Sequence, residues 1–146
     1  MSIHKNSKYF AINIEKATIE NTDYRRVIYT SEKQQLVLMS IPVGSEIDLE
    51  MHPDTDQFLR FEKGLGEIYF GKDQNESIKV EDGFSVTINA GTYHRVVNIG
   101  NEPLKLYTIY SPPEHSKGLI QKDKPRSENV NKQNSYLRVI HLLLDM

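Results

Sequence analysis

The chain of 146 residues has no cysteine and no tryptophan. Without cysteine there are no disulfides, no persulfide chemistry and no thiolate metal sites. An excess of positive charge is also missing. Eighteen Lys and Arg stand against 20 Asp and Glu, which leaves a formal charge of −2 and a pI near 6.2. Nucleic-acid binding wants a basic face, so no nucleic-acid partner is expected. No run approaches the ~20 apolar residues that cross a bilayer, and the amino-terminal stretch has lysines but no apolar segment of signal-peptide length. No membrane partner and a cytoplasmic location are therefore expected.

What is present is a chain long enough for one domain with a single core. Nine runs rich in β-branched and aromatic residues recur at short intervals: 26–29, 35–41, 47–52, 57–61, 67–70, 78–80, 84–88, 94–98 and 104–110. Between them lie turn-forming pairs such as Lys63-Gly64, Asp82-Gly83 and Ala90-Gly91. Short strands at regular spacing predict an all-β sandwich or barrel rather than βαβ units. No long amphipathic helix is evident before residue 114. Pro112-Pro113 cannot extend a central strand, so the strand-rich domain spans 12–113 and a tail spans 114–146. Within the tail, 121–134 reads as a polar linker. Residues 136–144 read as an apolar segment that docks on its own domain or on a second copy.

Two glycine-bracketed segments carry the functional signal. Gly44 is followed after five residues by Glu50, then by His52, Gln57 and Gly64; Gly83 is followed after five by Asn89, then by Gly91, His94 and Asn98. Every spacer length resembles the two signature motifs of the cupin superfamily, small jelly-roll-like β-barrels that usually hold one divalent metal. Three identities depart from those motifs. Glu50 stands where His is usual, Gln57 where Glu is usual, and Asn89 where Pro is usual. The fold class implied is thus all-β, a single cupin barrel with a short C-terminal tail.

The resemblance assigns Glu50, His52, Gln57 and His94 as metal ligands. Glu50 and His52 are two apart, so on a strand they leave one face. Two imidazoles and a carboxylate are the donors of the facial triad, which leaves positions open on Fe(II); the set also suits Mn, Zn or Ni. Two His, one Glu and one Gln give a divalent site the same formal charge of +1 as the usual three His and one Glu. By the same parity Glu46 and Asp48 would face the site, whereas Arg60 and Arg95 would point away. His4, His115 and His141 lie outside both motifs and carry no assigned role. Asp54 and Asp56 read as turn residues.

Three stretches, 50–60, 90–94 and 104–115, further resemble small single-domain cupins described as mannose-6-phosphate-isomerase-like. The resemblance implies a metal-binding cupin that takes a small organic ligand in its barrel, and a homodimer. If the chain is an enzyme, metal-dependent isomerase or dioxygenase chemistry would follow. The alternatives are a sugar-phosphate isomerase and a metal-free sensing module. Carboxylates facing the site would disfavour a phosphate, which wants Arg or Lys, and would favour a neutral or cationic ligand.

Overall fold

A computed structural model describes residues 2–126. In chain order its elements are β1 (Ile3–Lys5), β2 (Phe10–Ile12), α1 (Ile14–Glu20), β3 (Arg25–Thr30), β4 (Gln35–Ile41), β5 (Glu46–Glu50) and β6 (Asp56–Lys63). They continue with β7 (Gly66–Phe70), β8 (Glu76–Val80), β9 (Ser85–Ile88), β10 (His94–Asn98), β11 (Leu104–Ser111) and β12 (Ile120–Gln121). All nine expected strands form. The short β1, β2 and β12 are additions to that pattern, as is α1. That helix has only seven residues, too few for its periodicity to show in the sequence. Asn13 caps it by accepting the Lys16 N–H at 3.1 Å.

Among the described residues, β1 and β2 pair only with each other. The other strands form a four-stranded sheet, β5-β10-β7-β8, and a six-stranded sheet, β12-β3-β4-β11-β6-β9. Alternation turns one side of each sheet inward. On β6, Gln57, Leu59 and Phe61 are buried, while Phe58 and Arg60 between them are half-exposed. Met39, Leu106 and Phe61 lie side by side across β4, β11 and β6, and Ile68 and Val96 are buried on the other sheet. Each such side chain contributes roughly 1.5–3 kcal/mol by leaving water. The result is a jelly-roll-like β-sandwich.

Two motif residues act only on the backbone. Gly64 has a φ of +95°, and a Cβ there would lie 2.9 Å from the Pro103 carbonyl oxygen, so a side chain is excluded twice over. Asn98 is buried; its amide donates to the carbonyls of Ile41 and Glu102 and accepts the Gly100 N–H, each at 2.9 Å. It ties the ends of two strands to the turn before β11.

One irregularity changes the chemistry. β10 pairs with β5 through His94 with Glu50 and Val96 with Ile47, a register that sets two steps on β10 against three on β5. The extra residue is a β-bulge. It lets Ile47, only 2% exposed, point into the core while Glu50, three residues on, also turns inward.

β11 ends at Ser111, next to the proline pair. The chain then returns to the six-stranded sheet, where β12 pairs with β3, and Lys124 meets Asp48 on β5 of the other sheet at 2.6 Å. The linker expected at 121–134 is described only to 126. The segment 136–144 and His141 lie outside the described residues.

Candidate metal centre

Two strands and one loop bring the centre together. Glu50 closes β5, His52 follows it in the loop, and His94 opens β10 directly opposite Glu50. The loop is held from the second motif, because the Gly91 N–H donates to the His52 carbonyl at 2.8 Å. The Ala90 N–H donates to Asp56 Oδ1, also at 2.8 Å. Asp56 therefore braces the turn that Asn89 enters without the usual proline.

The side chains meet at one carboxylate oxygen. His52 Nε2 and His94 Nε2 each lie 3.3 Å from Glu50 Oε1. One ligand atom from each of the three residues falls within 4.8 Å of the others. His94 is 1% exposed and His52 7%, so the cluster is withdrawn from bulk water.

The opposite ring nitrogens are already engaged. His94 Nδ1–H donates to the Thr92 carbonyl at 2.9 Å, and a carbonyl only accepts. His52 Nδ1 lies 3.2 Å from Glu114 Oε1. With those protons on Nδ1, both Nε2 lone pairs face a carboxylate, and such a set of acceptors needs a positive charge at its centre. Two donors about 2.1 Å from one ion, at 90–110° to each other, lie about 3.0–3.4 Å apart, so the 3.3 Å separations fit a divalent cation. When no cation is bound, protons serve instead. Burial opposes a charged His52, but the carboxylates of Glu114 and Glu50 outweigh it and raise its pKa to about 9. Burial likewise works against the Glu50 carboxylate. Hydrogen bonds from His52 and His94 prevail and hold it well below the usual range.

Gln57, on β6 of the six-stranded sheet, is 1% exposed. Its amide nitrogen donates to Thr108 Oγ1 at 3.1 Å and to the Tyr110 hydroxyl at 3.2 Å. Its Oε1 is buried with no hydrogen-bond partner among the described residues. Tyr110 packs edge-on against His52, with ring centroids 5.6 Å apart. Burial, reinforced by the Glu50 charge, keeps its hydroxyl protonated. His115 Nε2 lies 3.3 Å from that hydroxyl, and burial, aided by the Arg25 charge, lowers its pKa to about 4. It is a neutral imidazole at pH 7.

The bulge on β5 corrects one expectation. Glu46 and Asp48 flank the inward Ile47 and so face outward. Glu46 Oε2 takes both Arg95 Nη2 at 2.6 Å and Arg95 Nε at 2.9 Å, and Lys124 covers Asp48. Glu50 alone of the three acids enters the site, and the charge argument against an anionic ligand falls with the other two. Arg95 points away, as its parity requires. Glu114, Tyr110 and His115 surround the cluster although no motif marks them. All three fall in the stretch 104–115 that carries the resemblance, but nothing in that stretch assigns any of them a role.

A small β-sandwich with an inward two-His, one-carboxylate cluster at one end defines the class. The cupin-domain family matches residues 37–110, and the chain belongs to that family. It is 43% identical over 120 residues to the uncharacterized protein YrkC of Bacillus subtilis, covering 80% of this chain and 64% of that protein's length. It is 42% identical over 126 residues to the uncharacterized protein L612 of Acanthamoeba polyphaga mimivirus, covering 86% and 79%. The crystal structure of BH2720 from Bacillus halodurans is similar with a TM-score of 0.78 and 43% identity, over 83% of this chain and 94% of that one.

Proposed function

We propose that this cupin binds one divalent cation through Glu50, His52 and His94, with the Gln57 amide oxygen as fourth donor, and binds or transforms a small organic molecule beside it. The convergence of two imidazole Nε2 atoms on one buried carboxylate oxygen carries this reading. The buried Gln57 Oε1 supports the fourth donor. A cation there, of Mn, Fe, Ni or Zn type, would supply Lewis-acid or redox chemistry to a coordinated small molecule. The chain's own residues fix two imidazole tautomers and exclude water on the Tyr110 side. Tyr110 and His115 add a protonated hydroxyl and a neutral imidazole at hydrogen-bond distance from each other.

Elemental analysis of protein purified without a histidine tag or chelator should find about one divalent ion per chain. Replacing both His52 and His94 with Ala should remove it while the β spectrum persists. Wild-type levels of metal in that variant would refute the assignment.

The homodimer belongs to the same proposal. Its support is a groove of about 820 Å³ whose lining sets Ile3, Phe10 and Ile120 beside the charged Lys5, Glu20 and Arg26; Ile3 and Ile120 are each 53% exposed. A second copy would cover that surface. Light scattering at micromolar concentration should give about twice the chain mass of 16.9 kDa, and a monomer would refute it.

A further inference from the structure

Glu114 lies outside both motifs, and its position is set by an unusual degree of support. Four residues beyond Tyr110, the backbone of Glu114 and His115 is gripped by one side chain from the start of β4. Gln35 is 0% exposed. Its Oε1 accepts the N–H of Glu114 at 3.1 Å and of His115 at 2.9 Å. Its Nε2 donates to the His115 carbonyl at 2.8 Å and to Thr30 Oγ1 at 3.0 Å. Both lone pairs and both protons of the amide are used. A primary amide fully engaged in this way locks the segment, and the lock leaves the Glu114 carboxylate 3.2 Å from His52 Nδ1. The carboxylate sits behind the ring, on the nitrogen opposite the cluster, and is not among the converging donors.

We infer that Glu114 is a positioning residue for His52: held by the Gln35 clamp, it keeps the proton on Nδ1 and aims Nε2 at the cation. The physical basis is general. A carboxylate that accepts the far N–H of a ligating imidazole fixes its tautomer and orientation and raises its donor strength. His94 gets the same service from the Thr92 carbonyl, a neutral and weaker partner. The two imidazoles are thus unequal, and His52 is the one whose donor strength depends on a side chain that can be changed.

The inference rests on the metal reading above, and the test separates the two. Co²⁺ titration with Zn²⁺ competition would be run on the full chain, alongside ¹⁵N NMR of the histidine rings in metal-free protein. Glu114→Ala should weaken Co²⁺ binding about 10–100-fold, and Glu114→Gln, which keeps an acceptor oxygen, should recover part of that loss. In metal-free protein, Glu114→Ala should shift the His52 Nδ1 resonance and leave that of His94 in place. Gln35→Ala should reproduce the loss, and the double variant should bind no more weakly than Glu114→Ala alone. Wild-type Co²⁺ affinity in Glu114→Ala, an unmoved His52 resonance, or fully additive losses in the double variant would each overturn the inference. If the wild-type protein binds no Co²⁺, the metal reading fails by itself. The ¹⁵N arm then decides the role of Glu114. Should Gln35→Ala fail to fold, the two Glu114 variants still decide between the outcomes.

Discussion

The two faces of the β5–β10 pair use the same residue types to different ends. On the outer face Glu46 meets Arg95, and Asp48 meets Lys124. On the inner face Glu50 meets His52 and His94. The outer contacts are one acid to one base, and the side chains of Glu46 and Arg95 remain 27% and 33% exposed. The inner contact is one oxygen shared by two bases, with Glu50 at 10%, His52 at 8% and His94 at 1%. A pair satisfied by its own partner in reach of water has nothing left to offer a ligand. Three groups competing for one central charge, out of water, do. A single extra residue in β5 decides which acid joins which set.

The largest effect that distinguishes the faces is in pH. The inner set must give up a proton to take a cation, since His52 Nε2 cannot hold both. With the metal-free His52 pKa at about 9, metal affinity should rise about tenfold per pH unit from 7 to 9, about 100-fold in all, and level off above. Metal-free stability should move the other way. A raised histidine pKa stabilises fully below the unfolded value of about 6.5, and that contribution is lost as pH climbs through about 9. The depressed Glu50 pKa adds stability above about 4.5 that is lost on acidification. Calorimetric binding and metal-free thermal melts across pH 5–10 would read both. An affinity that is flat from pH 7 to 9 would show that no proton leaves His52 on binding, so that either its metal-free pKa is not raised or it is not a ligand.

How far the sequence exposes these two faces depends on what kind of information each needs. Spacing locates Glu50, His52 and His94, because motif glycines fix where strands begin and because residues two apart share a side of a strand. Strand positions are legible for the same reason, through alternating apolar residues bounded by turns. Alternation fails at β5, where it assumes an unbroken ladder. No residue type in Asp48-Leu49 announces a bulge, and so parity puts Glu46 and Asp48 on the wrong side. Glu114 and His115 lie in the resembling stretch 104–115, but their contacts are hidden for another reason. Their partners, Gln35, His52 and Tyr110, come from three parts of the chain, and only β4–β11 pairing brings Gln35 beside Tyr110. The clamp is a tertiary product with no local signature.

The smallest expected effect gives the sharpest test of the two-face division. Glu46→Gln removes the charge that holds Arg95 but touches nothing in the inner set. A partly exposed ion pair contributes about 0.2–1 kcal/mol, and Arg95 keeps its stack on Tyr69, 5.4 Å from the ring centroid. Stability should therefore fall by no more than about 1 kcal/mol, with metal content unchanged. Glu50→Gln removes the same charge four residues along the same strand. It replaces the shared anionic oxygen with an amide between two imidazoles, so metal content should collapse even where the fold survives. Measuring metal stoichiometry in the two variants side by side isolates the bulge, because an unbroken strand would place both side chains on one face. If Glu46→Gln lowers metal content as Glu50→Gln does, then Glu46 faces the cation, β5 has no bulge in solution, and the two faces are one.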